Sequence, residues 1–198
     1  MKKSYVISIN SVSGGGKTAL AQLLQQSLPE SALFCFDDFN DTNIIPNDLY
    51  QWSRQGANIL ELDCPGMGEA VERAINYGTL NYIVLDYPLG REHPRFSGII
   101  DLAVFIDTPL DVAMARRILR DHISESEVSA ERRLKQLRIE MADYLERARY
   151  PYLDTYKQKN TSDLVLDGWR PLEELRDQVL NRIRIDHQFP DRDEAGDT

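Results

Sequence analysis

Residues 11–18 read Ser-Val-Ser-Gly-Gly-Gly-Lys-Thr, and their chemistry is that of anion binding. Consecutive glycines let a backbone turn tightly enough for successive N–H groups to point inward, and a helix opening at the lysine adds its positive N-terminal dipole. The stretch ends as the pattern G-x-x-x-x-G-K-[ST] ends, in Gly16-Lys17-Thr18. In that pattern the lysine bridges the outer phosphates of a nucleoside triphosphate and the hydroxyl holds Mg²⁺. Ser13, Gly14, Gly15, Gly16, Lys17, Thr18 and Ala19 are thus the expected nucleotide contacts, with ATP and Mg²⁺ as ligands. Ser11 stands where the pattern has its first glycine, and its side chain predicts a more restricted path into the loop.

Carboxylates and guanidiniums supply the rest. Asp37 and Asp38 close one short apolar run, Asp86 closes Tyr82–Leu85, and Asp107 closes Leu102–Ile106. A carboxylate beside a bound phosphate takes the proton of an attacking hydroxyl or holds a metal. Asp107 reads instead as a cap on the helix that follows it. Arg116, Arg117 and Arg120 recur within five residues, and guanidinium forks neutralise charge spread over a transferring phosphoryl group. Arg91, in a Gly/Pro-rich loop, is a candidate for an anionic group on the acceptor. His93 and His122 have no ligand-spaced partners, so no zinc site is expected.

These residues need a parallel sheet to bring them together. Tyr5–Ile9, Ala32–Phe36, Tyr82–Leu85, Leu102–Ile106 and Leu164–Leu166 are short apolar runs that read as buried strands. Helical spacing fits 19–28 (stopped by Pro29), 66–77 (stopped by Gly78), 110–122, 124–149 and 171–185, and Ser124-x-x-Glu127 has the form of a capping box. Strands alternating with helices predict an α/β fold, and ligands on such sheets bind at the strands' carboxyl ends. The glycine turn, Asp37, Asp86 and Asp107 all fall there. Residues 40–58 lack clear periodicity, and the tail from about 187 is polar and expected to fray.

Four patches carry a family resemblance: the SxSGGGKT loop, Phe36-Asp37-Asp38-Phe39, Phe105-Ile-Asp-Thr-Pro-Leu110 running to Arg116-Arg-Ile-Leu-Arg-Asp121, and Leu164-Val-Leu-Asp-Gly168. In order and spacing the chain resembles the uridine kinase and nicotinamide riboside kinase branch of P-loop kinases over most of residues 5–185. The resemblance implies a three-layer P-loop NTPase fold, one domain over 1–186 with an Arg-rich helical lid at about 116–135. It implies ATP-dependent transfer of a phosphoryl group to a small-molecule hydroxyl. Asp37 would be the general base, Arg117 and Arg120 the lid contacts to the transferring group, and Arg116 a nucleotide contact. Asp86 would hold Mg²⁺ or an acceptor hydroxyl, where the branch usually carries Glu. Asp38, Tyr50, Trp52 and Asp63 would meet the acceptor. Leu62-Asp63-Cys64-Pro65 resembles an F-D-H-P motif whose Asp contacts ribose hydroxyls, with Cys64 replacing the histidine.

Bulk properties agree with a small-ligand enzyme. The chain has 198 residues, 42% apolar and 28% charged, and a net charge of −9, which argues against nucleic-acid binding. No run approaches the ~20 apolar residues of a membrane span, and the opening apolar run leads into the glycine turn, not a cleavage site. A cytoplasmic protein without a membrane partner is expected, and a homo-oligomer stays open. Cys35 and Cys64 read as reduced thiols. Two other readings compete. A nucleotide-binding regulatory protein or GTPase-like switch lacks support, because no N-K-x-D follows the fourth strand. A kinase-like protein without acceptor activity is suggested by Ser11, Asp86 and Cys64.

Overall fold

The structure is a computed structural model that describes residues 4–123 and 129–188. Five strands, β1 (Tyr5–Asn10), β2 (Ser31–Cys35), β3 (Tyr82–Asp86), β4 (Leu102–Asp107) and β5 (Leu164–Asp167), form one sheet. Their order is β2-β3-β1-β4-β5 and every pairing is parallel. The helices are α1 (Lys17–Ser27), α2 (Leu49–Arg54), α3 (Pro65–Tyr77), α4 (Pro94–Ser97), α5 (Leu110–Ile118), α6 (Ala130–Asp143), α7 (Arg149–Lys157) and α8 (Leu172–Gln188).

Alternation along each strand divides the core between two faces. Ile7, Ile9, Val84, Leu102, Val104 and Ile106 point toward α1 and α8, meeting Leu20, Leu24, Leu175 and Val179. Val6, Ile83, Leu85 and Ala103 point the other way, toward Met67 and Val71 of α3 and Phe96 of α4. The result is an α/β fold of three layers, with the sheet between two layers of helices. β1 sits at the centre, and the chain departs to β2 on one side and later to β4 on the other. The crevice between those departures, outside the strands' carboxyl ends, is where such sheets bind ligands.

The irregular stretch from 40 to 64 contains a short helix that weak periodicity did not reveal. Asp48 caps α2, accepting from the Gln51 N–H at 3.0 Å. The helix is then fixed against α7 and the turn before it: Arg147 reaches Asp48 at 2.7 Å, Ser53 donates to Asp154, and the Tyr50 and Tyr150 rings meet edge to face at 5.4 Å. The helix expected over 110–122 continues beyond α5 as a wide π turn, Leu119–Ile123. The helix expected over 124–149 starts at Ala130, capped by Ser129, and passes through a second π turn, Tyr144–Ala148, into α7. The Ser124–Glu127 capping box lies outside the described residues. At the other end α8 runs through Gln188, past the point where fraying was expected, with the His187 ring against Tyr5 and Tyr82. No described helix is long and apolar enough to cross a membrane.

Leu20 is fully buried on the face of α1 that holds the phosphate loop to the sheet. Leu20→Ala is expected to lower unfolding free energy by about 2–5 kcal/mol, measurable by chemical denaturation.

Candidate active site

The loop from Ser11 to Gly16 joins β1 to α1 and is shaped by contacts too close for side chains. Gly14 has φ +81° and Gly16 +100°, both left-handed. A Cβ on Gly14 would lie 2.2 Å from the Ala113 carbonyl oxygen in α5, and one on Gly15 would lie 1.9 Å from the Ser11 hydroxyl. The Thr108 hydroxyl donates to the Gly15 carbonyl at 2.8 Å, so β4's exit loop pins the turn from below. Ser11 enters the loop without left-handed backbone. The described non-glycine residues at positive φ are Glu30 and Ala57, so Ser11 has an ordinary backbone. Its buried hydroxyl donates to the Ile106 carbonyl at 2.8 Å, and the missing side chain of Gly15 makes room for it.

Two clefts meet at this loop, and a third adjoins the second. The first is lined by Ser13, Gly14, Gly16, Lys17, Thr18 and Ala19, with Asp37, Arg116 and Arg120 opposite. The second, of 290 Å³, shares Ser13, Lys17 and Asp37 with the first and adds Asp86, Phe36, Pro151, Tyr152 and Thr155. The third, beyond Phe36 and Pro151, is apolar and includes Trp52. Asp37 thus stands at the junction of the first two, an exposed residue on the turn Phe36–Phe39 that follows β2. Asp38 is exposed beside it and lines none of the three clefts.

Charge is balanced locally around Lys17. Burial lowers its ammonium's pKa, while the negative charges of Asp86 and Asp37 hold it up. Asp86 is only 6% exposed. Burial raises its carboxyl above the usual value, and a hydrogen bond from Thr18 and the charge of Lys17 pull it back. Thr18 and Asp86 therefore form a paired oxygen site at the mouth of the loop. Among the described residues no three His, Cys, Asp or Glu groups gather as a self-sufficient metal cluster. A hydroxyl and one carboxylate suit Mg²⁺, which commonly takes one or two protein oxygens and fills its shell from phosphates and water.

The lid arginines divide. Arg116 and Arg120, four apart, face the first cleft. Arg116 also donates to the Gly168 carbonyl at 3.2 Å, and Arg120 is held by Asp121 at 2.6 Å. Arg117 does not reach the clefts as expected. It donates to the Tyr152 hydroxyl and pairs with Asp121 at 3.5 Å and Glu140 at 3.6 Å, because one helical step turns it about 100° from its neighbour. His122 shares the same Glu140 at 3.1 Å.

Several acceptor candidates are used elsewhere. Asp63 receives a two-pronged bond from Arg95, with Nε at 2.8 Å, and accepts the Cys64 N–H at 2.8 Å. Its carboxylate clamps Arg95 and the start of α3. Arg91 donates to the Ile100 carbonyl at 2.8 Å and to Asp163, tying its loop to the start of β4. Tyr50 faces Tyr150 and lies beneath the Arg147 guanidinium, outside the clefts. Asp107 does not cap α5; Pro109 holds that position, and Asp107 pairs with Lys159 at 2.6 Å. His93 is buried, bonded to the Tyr87 hydroxyl at 2.7 Å and to the Leu62 carbonyl at 2.8 Å. Cys35 and Cys64 are free thiols. The residues that sequence reasoning missed are Pro151, Tyr152 and Thr155 of α7. The aromatic cluster Tyr150-Pro-Tyr-Leu-Asp-Thr-Tyr156 inside a charged helix was the available signal.

Two outcomes follow from this geometry. Lys17→Met is expected to weaken Mg·ATP binding about 10- to 100-fold, the loss of one charged hydrogen-bond donor, as read by calorimetry. Asp63→Asn is expected to destabilise the fold by about 1–2 kcal/mol near neutral pH. Arg95 holds the Asp63 carboxyl below its ordinary value, so its contribution is complete above pH ~4 and fades as pH falls through the depressed value. Denaturation curves of the two proteins should converge in acid.

No protein-family model matches the chain, and no curated protein matches it by sequence. Solved structures do. A tunicamycin resistance protein from Deinococcus radiodurans aligns over 91% of this chain and 96% of its own, with 16% identity and a TM-score of 0.55. A deoxyadenosine kinase from M. mycoides aligns over 90% and 98%, with 15% identity and a TM-score of 0.49. Shikimate kinase from Aquifex aeolicus aligns over 92% and 98%, with 18% identity and a TM-score of 0.44. At 16% identity the likeness to the Deinococcus protein is one of fold alone, a parallel sheet flanked by helices.

Proposed function

We propose that this chain is an ATP-dependent phosphotransferase that moves the terminal phosphoryl group of ATP to a hydroxyl of a small molecule, in the manner of uridine kinase-like enzymes. The observation that carries this reading is the position of Asp37. Its carboxylate borders both the cleft of the phosphate loop and the cavity beside it, so one group can face a donor phosphate and an acceptor hydroxyl together.

In this reading the loop amides and Lys17 hold the outer phosphates, with the N-terminus of α1 adding its dipole. Thr18 and Asp86 would hold Mg²⁺, which when bound would supply charge neutralisation. Asp37 orients the acceptor hydroxyl and takes its proton as the oxygen–phosphorus bond forms and the bond to the departing ADP breaks. Lys17, Arg116 and Arg120 face the oxygens on which charge accumulates. Arg117 acts on the lid through Tyr152 and Glu140, without touching the phosphates.

A general base is separable from a binding residue. Asp37→Asn is expected to leave the dissociation constant for Mg·ATP within about threefold and to lower acceptor-dependent ADP release by about 10²- to 10⁴-fold. Unchanged turnover in Asp37→Asn would remove the base from Asp37. Tighter binding of GTP than ATP, with no acceptor-dependent turnover, would favour a nucleotide switch.

A further inference from the structure

The third cleft is a cavity of 350 Å³, within the size range of small-molecule sites. It shares Phe36, Pro88, Pro151 and Thr155 with the cavity that Asp37 borders, so the two are neighbours across one wall. Its interior is apolar, built from Leu49 and Trp52 of α2 together with Ile59, Leu62 and Leu89. The Trp52 indole N–H is already used, donating to the Asn58 carbonyl at 2.9 Å, so the ring offers carbon surface to an occupant.

Its charged groups are equally informative. Glu92, Asp154 and Lys157 line it, and Lys157 is the one cation among the described lining residues. That ammonium lies 2.6 Å from the Asp154 carboxylate, so its charge is already paired. Among the described residues no arginine lines this cavity, whereas Arg116 and Arg120 both face the glycine-rich loop. A carboxylate or phosphate placed here would lose water without gaining a guanidinium fork and would meet two acidic side chains.

We infer that this cavity holds the body of the acceptor, and that the acceptor is an uncharged, ring-bearing alcohol. The cavity discriminates against alcohols that carry a carboxylate or phosphate. The inference rests on the phosphotransferase reading and narrows it to a substrate class. The ring packs against Leu49 and Trp52 while the hydroxyl passes the Phe36 and Pro151 wall to reach Asp37.

The test is coupled ADP release with Mg·ATP over alcohols arranged as matched neutral and anionic pairs. Para-hydroxymethyl benzamide against para-hydroxymethyl benzoate, and uridine against uridine monophosphate, begin the panel. The neutral members are expected to exceed their anionic partners in kcat/KM by about tenfold or more. Trp52→Ala should raise KM for the neutral substrate about tenfold and leave Mg·ATP affinity within about twofold. Leu49→Arg, which introduces a guanidinium, should narrow or invert the preference between pair members. Anionic members turned over as well as neutral ones by the unaltered protein would overturn the inference and leave the transferase reading standing. So would an unchanged KM in both variants. No turnover with any member while Mg·ATP still binds would overturn the transferase reading itself, and the cavity's role with it.

Discussion

The site depends on one steric constraint: the phosphate loop's backbone lies against its neighbours with no room for a β-carbon. Gly14 meets the carbonyl of Ala113 and Gly15 meets Ser11, so the loop and α5 are in direct backbone contact. Thr108 extends the contact, bonding to the Gly15 carbonyl on one side. On its other side it packs against Gly168, where a Cβ would sit 1.9 Å from its hydroxyl. Gly168 in turn accepts from Arg116. Loop, α5 and the turn after β5 are therefore held in one register by small residues.

Around that frame the charges are sorted by side. Cations gather over the loop, where Lys17, Arg116 and Arg120 converge, although the chain as a whole carries −9. Carboxylates at β-strand ends, Asp37 and Asp86, sit between those cations and the apolar cavity beyond. A buried Asp86 would be costly alone, and the Thr18 hydroxyl and Lys17 ammonium offset that cost. The polarity of the site thus runs from cationic to acidic to apolar along a single path.

The sheet and the phosphate loop were legible because their signals are local. Apolar runs of strand length ending in Asp, and a glycine turn before a lysine, need no knowledge of distant residues. The cavities beyond Asp37 were not legible, because their walls come from separate stretches. Trp52 meets Pro151 and Thr155 only after α2 docks on α7, and that docking depends on pairs such as Ser53 with Asp154, far apart in sequence. Asp63 shows the same limit from the other direction. Its motif-like neighbours pointed to ribose, yet Arg95, thirty-two residues away, occupies its carboxylate. Arg117 was assigned through the family resemblance, although the i, i+4 spacing sets Arg116 and Arg120 on one face; its guanidinium meets Tyr152, Asp121 and Glu140.

The serine at position 11 changes what counts as a valid form of the nucleotide-binding signature. Its hydroxyl fills space that Gly15 leaves open, and a side chain at position 15 would collide with it, so in this chain serine at the start goes with glycine four residues on. A search pattern that demands glycine at the first place discards such chains, while one that permits Ser-x-x-x-Gly-Gly-Lys retains them. Covariation between those two columns, more than the identity of either, is the mark to look for in remote relatives.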